Sequence, residues 1–140
     1  MLYLDTSALA KLYVWEAGTA DVQALVAQNA GRLFTSVATF AEVFSVLTRC
    51  LRERRFSRSS YRAQRRSFLA DWSGLHVVEL TTPVLSPADR LIQRHGLRGL
   101  DAIQLCSALW IGRPRFVCFD LRLRLAAQRE GLPAAPDGPL

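Results

Sequence analysis

The sequence predicts an α/β domain in which a central parallel sheet of about four strands is covered by helices on both faces. Four short apolar segments have the length and composition of buried strands, and stretches with helical spacing of apolar residues separate them. Parallel strands need long crossover connections, which the intervening helices supply. The predicted strands cover residues 2–4, 33–36, 76–80 and 115–119.

The helices are predicted from apolar residues spaced three and four apart and from residues that commonly begin or end a helix. Thr6 or Ser7 is expected to cap the first helix. Ser86 is expected to cap a helix that ends at Gly96, since a proline and an acid follow the serine. The predicted helices cover residues 7–13, 38–52, 86–95, 100–110 and 121–129, together with segments that begin at residues 19 and 57.

The length of 140 residues suits one domain with its own core. We expect a single domain over residues 1–132, followed by a disordered tail over residues 133–140, which is rich in proline and alanine. There is no apolar run as long as a membrane span and no signal-peptide pattern, so the expected location is the cytoplasm. The three cysteines lack zinc or disulfide spacing, and Cys106 and Cys118 are expected to be buried.

Four acidic residues lie in the most apolar segments of a strongly basic chain, which has 18 basic residues, 12 acidic residues and a formal net charge of +6. Two of them, Asp5 and Asp120, directly follow different predicted strands, and ligands bind at the carboxyl ends of such strands. Carboxylates are seldom buried unless they pair with a cation or bind a metal. The four residues are Asp5, Glu42, Asp101 and Asp120.

Each of these acids also has a structural explanation. Asp5 and Asp120 can cap the helices that follow them. Glu42 is placed as in a capping box, and Asp101 lies near a helix start, where the dipole favours negative charge. As a group, however, clustered carboxylates repel one another unless a divalent cation such as Mg²⁺ or Mn²⁺ binds between them. Such a site predicts phosphodiester hydrolysis.

Motifs of several other enzyme classes are missing from the sequence. It contains no phosphate-binding loop, no dinucleotide-binding glycine pattern, no zinc-protease helix and no serine-hydrolase elbow. Of the two histidines, His76 lies in a predicted strand, and His95 lies at a helix end, where its charge suits the dipole. The acidic group is therefore the main candidate for catalysis.

At these acids the sequence resembles the PIN-domain ribonucleases, and specifically the VapC-type toxins of bacterial toxin–antitoxin pairs. The resemblance spans nearly the whole chain, and its strength lies in the order and spacing of four short motifs. They are LDTSAL at residues 4–9, SVATFAEV at 36–43, LDAIQL at 100–105 and FDLRL at 119–123.

The resemblance implies a three-layer α/β/α sandwich that forms a homodimer and cleaves single-stranded RNA. It implies catalytic acids at Asp5, Glu42, Asp101 and Asp120, with Mg²⁺ or Mn²⁺ held by Asp5, Asp101 and Asp120 and with Glu42 completing the site, directly or through water. It also implies inhibition by a small VapB-like antitoxin, whose C-terminal segment enters the acidic groove.

Arginines crowd the stretch between residues 49 and 66, which contains a single acid, Glu53. This arginine belt could form a track for RNA phosphates, a contact surface for an acidic partner, or a solvated helix surface. Arg54, Arg55 and Arg58 are the candidates for RNA binding. The belt consists of Arg49, Arg52, Arg54, Arg55, Arg58, Arg62, Arg65 and Arg66.

Two other functions compete with an endoribonuclease. The first is a catalytically silent module that binds RNA or a protein, against which the intact carboxylates argue. The second is a structure-specific DNA nuclease, although the chain has no obvious extra element for gripping a duplex. Metal-dependent cleavage assays on RNA and DNA in parallel distinguish the three.

Overall fold

The computed structural model describes residues 1–137, and these residues form a single sheet of five parallel strands. The strands are β1 (Leu2–Leu4), β2 (Leu33–Ser36), β3 (His76–Val78), β4 (Arg115–Val117) and β5 (Ala134–Ala135). Their order across the sheet is β3-β2-β1-β4-β5, and every neighbouring pair is parallel. The predicted parallel sheet is confirmed, with one strand more than the sequence indicated.

The connections between the strands are helical. The helices are α1 (Thr6–Leu9), α2 (Thr19–Gln28), α3 (Ala38–Arg52), α4 (Arg58–Trp72), α5 (Thr82–Leu85), α6 (Ala88–His95), α7 (Gly99–Trp110) and α8 (Leu121–Arg129). A short 3₁₀ turn, Ala10–Leu12, continues α1. None of these helices is both long and apolar enough to span a membrane.

Alternation along β1 places a hydrophobic core on each face of the sheet. Leu2 and Leu4 pack into one core, whereas Tyr3 packs into the other. The first core is completed by residues of α2, α3 and α4, including Val22, Val43 and Phe68. The second core is completed by residues of α6, α7 and α8, including Leu91, Leu105 and Leu123. The expected three-layer α/β/α sandwich is thus confirmed.

The strand order places a crevice at the carboxyl end of β1. The chain passes from β1 to β2 on one side, and β4 later pairs with β1 on the other side. Connections therefore leave in opposite directions from β1 and β4, which is where open parallel sheets bind ligands. Asp5 follows β1 and Asp120 lies three residues beyond β4, so both reach this crevice.

Several element boundaries differ from the sequence predictions for identifiable reasons. Strand β4 ends two residues early because the N–H of Phe119 donates to the hydroxyl of Ser7 instead of to a strand. Ser86 does not cap α6; it ends the unpredicted helix α5, and its hydroxyl donates to the carbonyl of Pro83. Helix α1 is capped by Asp5 rather than by Thr6 or Ser7.

The C-terminal segment also differs from the predicted disordered tail. Ala134 and Ala135 are buried and pair with β4 to form the edge strand β5. A guanidinium nitrogen of Arg124 donates to the carbonyl of Pro136 at 3.0 Å. Small side chains allow this close packing, whereas their composition alone suggested a loop. The last three residues of the predicted tail, 138–140, lie outside the described residues.

All three cysteines are free and buried, as expected for Cys106 and Cys118. Cys106 is a residue of α7 and packs into the second core, whereas Cys118 lies at the crevice between β1 and β4. Cys118 precedes Asp120 by two residues, and its thiol donates to the carbonyl of Asp120 at 3.4 Å.

Candidate active site

Asp5 lies directly after β1, at the crevice. It is 4% exposed and serves as the N-cap of α1. Its Oδ1 accepts hydrogen bonds from the N–H of Ala8 at 2.9 Å and from the hydroxyl of Ser7 at 2.7 Å. The cap and the hydroxyl thus use the same carboxylate oxygen, which leaves Oδ2 free of these two bonds.

Burial has a clear electrostatic effect on Asp5. The pKa of its carboxyl is raised from 3.8 to about 6, mainly by loss of hydration and to a smaller extent by the nearby charge of Glu42. The bonds from Ser7 and Ala8, together with a contact from Cys118, act in the opposite direction but do not offset the burial. The site therefore favours a positive charge beside this carboxylate.

Asp120 follows β4, and the residue before it is connected to Asp5 through Ser7. It is exposed and caps α8, since its Oδ1 accepts from the N–H of Leu123 at 2.8 Å. The N–H of Phe119, the residue before it, donates to the Ser7 hydroxyl at 2.8 Å, while that hydroxyl donates to Asp5. Ser7 therefore joins the ends of β1 and β4.

Glu42 reaches the crevice from α3 and is held by two donors. Its Oε2 accepts from the hydroxyl of Thr6 at 2.6 Å and from the amide of Gln104 at 3.0 Å. Because Thr6 directly follows Asp5, the hydrogen bond from Thr6 holds Glu42 close to Asp5. This explains why the charge of Glu42 affects the pKa of Asp5.

Gln104 organises this side of the site. It is 3% exposed, and its Oε1 accepts from the hydroxyl of Tyr3 at 2.7 Å. Its Nε2 donates to Glu42 and also to the Thr39 hydroxyl at 2.9 Å. Sequence reasoning missed this residue. The available signal was an amide in the middle of a helix that is apolar on most of its faces.

Asp101 is the third residue of α7 and is partly exposed. Its Oδ2 accepts from the N–H of Arg98 at 3.2 Å, which is the capping-box interaction of the helix start. It lies one turn before Gln104, so the helix that carries Asp101 also carries the donor to Glu42. Asp5 and Asp120 therefore cap helices as expected, and Asp101, which was expected only to interact with the helix dipole, completes a capping box.

The four acids share one edge of the sheet but do not form a closed ligand set. Within residues 1–137, no group of three or more His, Cys, Asp or Glu side chains is close enough together to hold a metal ion. The same residues contain no ion pair to any of the four acids. An oxygen-only donor set without cations fits a hard divalent ion, although binding would require the side chains to move closer together.

Comparison with known proteins identifies the family. The family model for the PIN domain matches residues 2–128. The chain belongs to the PIN-domain family. A relative named Ribonuclease VapC45, from Mycobacterium tuberculosis, is 33% identical over 138 residues, which cover 97% of this chain and 95% of the relative.

Solved structures share the fold of this PIN domain. The crystal structure of Mycobacterium tuberculosis VapC20, described as a Sarcin-Ricin loop cleaving toxin, matches with a TM-score of 0.69 and 20% identity over 94% of this chain and 96% of that one. A toxin-antitoxin complex from Klebsiella pneumoniae matches with a TM-score of 0.65 and 20% identity over 97% of each chain.

The raised pKa of Asp5 predicts a pH-dependent stability of the metal-free PIN domain. The folded state holds the Asp5 proton more tightly than the unfolded state, so the contribution of Asp5 to stability falls as pH rises from about 4 to about 6 and then levels off. Asp5→Asn keeps a cap oxygen and removes the buried charge. In chelator we expect this variant to be more stable than wild type above pH 6, by at most about 3 kcal/mol.

Urea unfolding between about pH 4 and pH 8 measures this difference. Asp21→Asn, which removes an exposed acid from the first turn of α2, is the matched control and should follow the wild-type profile. Equal pH profiles for wild type and Asp5→Asn would show that the burial of this carboxylate carries no energetic penalty.

The hydrogen bond from the amide of Gln104 to Glu42 predicts an effect on stability that is independent of Asp5. Gln104→Glu keeps an oxygen for Tyr3 but replaces the donor to Glu42 with a carboxylate. We expect a stability loss of about 1–3 kcal/mol near neutral pH, with recovery at acidic pH as one of the two carboxyls takes up a proton. Thermal unfolding at both pH values tests this. Gln128→Glu, on the exposed side of α8, is the control, and a similar effect there would remove the role assigned to Gln104.

Proposed function

We propose that this protein is a metal-dependent endoribonuclease that acts as the toxin of a toxin–antitoxin pair. The observation that carries the proposal is the buried carboxylate of Asp5 at the crevice between β1 and β4, which has no cationic partner within residues 1–137. Glu42 is held beside it by Thr6, the next residue of the chain. The ribonuclease name of a relative with 33% identity over nearly the full chain supports the reaction class.

Asp5, Asp101 and Asp120 are proposed to hold Mg²⁺ or Mn²⁺, and Glu42 completes the site, directly or through water. A bound divalent ion supplies charge stabilisation at the phosphate and lowers the pKa of an attacking water. The protein contributes the positions of its own groups. Ser7 fixes Asp5 against the chain before Asp120, and Gln104 and Thr6 fix Glu42.

The capping bonds are compatible with these roles. Asp5, Asp101 and Asp120 each accept their backbone bond on one carboxylate oxygen, so the other oxygen can bind a cation. The caps also restrict the rotation of each side chain before any ligand arrives. Such preorganisation reduces the entropy lost when substrate and metal bind.

The proposed substrate is single-stranded or loop RNA, and the proposed regulator is a small VapB-like antitoxin. A structural relative from Klebsiella pneumoniae is described as a toxin-antitoxin complex, which supports the second proposal. We further propose a homodimer that acts in the cytoplasm. In the arginine belt, Arg54, Arg55 and Arg58 are exposed at the end of α3 and the start of α4, where phosphates can reach them.

The metal-site assignment predicts a large loss of cleavage in Asp101→Asn. This substitution keeps an oxygen for the N–H of Arg98 but removes the charge. We expect cleavage of single-stranded RNA in Mg²⁺ to fall by about a hundredfold or more, with the fold intact by circular dichroism. Asp89→Asn removes the first-turn acid of α6 and is the matched control.

Full activity of Asp101→Asn would contradict the assignment. Wild type that binds RNA without cleaving it in Mg²⁺ or Mn²⁺ would instead identify a silent binding module. Cleavage of a DNA junction in preference to RNA would identify the DNA nuclease. Parallel assays on both nucleic acids therefore separate the three functions.

The proposed RNA track predicts salt-dependent defects in the belt. Each lost phosphate contact lowers the salt slope of single-strand binding by roughly 0.7. Replacing Arg54, Arg55 and Arg58 with Gln should therefore weaken RNA binding most at low salt, while cleavage at saturating RNA hardly changes. Loss of antitoxin affinity alone would assign these arginines to the protein partner. Unchanged affinities for both would leave them as a solvated surface.

A further inference from the structure

A concave pocket of about 360 Å³ opens directly beside Glu42. Its wall is one face of α3, and the exposed side chain of Leu100, at the start of α7, closes the opposite side. Thr6, which donates to Glu42, lines the inner end. The pocket is therefore continuous with the candidate active site.

Two members of the arginine belt share this pocket with Glu42. Arg49 and Arg52 line it, whereas Arg54, Arg55 and Arg58 do not. Arg49 lies two helical turns beyond Glu42 on the same face of α3, about 10 Å along the axis. Side chains on a helix tend to lean toward its N-terminus, which favours contact of both arginines with the same pocket as Glu42.

These two arginines have no acidic partner in the described part of the chain. No ion pair within residues 1–137 includes Arg49 or Arg52, although Arg55, Arg90, Arg94 and Arg115 all form one. Two unpaired cations in a concave site fit the charge of a phosphate, which guanidinium groups bind with paired hydrogen bonds.

The remaining lining suits a nucleoside rather than a second anion. Val46 contributes an apolar surface between Glu42 and Arg49, and Leu100 is 51% exposed although it is a large apolar residue. A base or ribose packed between them would remove this apolar surface from water. The volume lies at the lower end of the range for small-ligand sites and is too small for a peptide helix.

We propose that this pocket is the subsite for a nucleotide next to the scissile bond of single-stranded RNA. Arg49 and Arg52 bind its phosphate, and Val46 and Leu100 contact its nucleoside. The inference rests on the proposed ribonuclease function. It adds the path of the RNA, which runs from the acids along α3 toward the C-terminal end of that helix.

The test is RNA binding without catalysis. A fluorescein-labelled single-stranded RNA of about twelve nucleotides is titrated in EDTA at several salt concentrations. Arg49→Gln/Arg52→Gln should bind more weakly than wild type, with a salt slope lower by about 0.7, which corresponds to the one phosphate that the two arginines bind.

The matched control is Arg32→Gln/Arg129→Gln. It makes the same change in net charge, but both residues are exposed at the opposite, amino-terminal edge of the sheet. We expect this control to show the slope of wild type to within about 0.3, less than half the effect of one lost phosphate contact. Equal slopes for the two double variants would overturn the subsite while leaving the ribonuclease proposal intact. A wild type that binds no RNA would overturn both.

Leu100→Ala tests the nucleoside contact separately. It should lower RNA affinity severalfold without changing the salt slope, because an apolar contact releases no counterions. An unchanged affinity would remove Leu100 from the subsite. Size-exclusion chromatography of the Arg49→Gln/Arg52→Gln variant provides a last check: a changed oligomeric state with unchanged RNA binding would show that the pocket is a contact between copies.

Discussion

The carboxylate of Asp5 is buried at the carboxyl end of the central strand, with no lysine or arginine paired to it within residues 1–137. Removing an anion from water is unfavourable. The N–H of Ala8 and the hydroxyl of Ser7 offset part of this loss. Helix α1 has only four residues, so its dipole adds little. The pKa of Asp5 is therefore about 6, and a positive charge bound in the crevice would stabilise its ionised carboxylate.

Capping and catalysis need not compete for the same acids. A capping bond engages one oxygen and holds the side chain in a single orientation, which is the preparation that a metal ligand requires. Asp120 shows the arrangement most simply, since its Oδ1 is bound to the N–H of Leu123 while the residue as a whole is exposed. For Asp5, Asp101 and Asp120, the structural and the functional explanations, which are alternatives in the sequence, are therefore compatible in the fold.

Sequence patterns predicted the elements whose bounds depend on local periodicity. They missed the strand and the site residue that depend on partners distant in the chain. The predicted bounds of β2, α3 and α8 agree with the structure because apolar patterning defines them locally, and Asp120 also caps α8. Strand β5 was missed because two alanines become a strand only through pairing with β4. Gln104 was missed because its partners, Tyr3 and Glu42, are distant in sequence. The sequence predicted that Asp5 and Asp120 lie at the carboxyl ends of the strands, but it did not predict the contacts that orient each side chain.

The packing of α3 connects the core to the proposed subsite. Val43, Leu47 and Cys50 are buried along one face of this helix and fix its rotation about its axis. An α-helix completes one turn every 3.6 residues, so Glu42 and Arg49, seven residues apart, lie on the same face. The rotation of α3 therefore determines that both line the pocket. A shift of one residue would turn them about 100° away from it. Conserving the apolar face of α3 therefore preserves the charge arrangement of the site, even though none of those core residues contacts it.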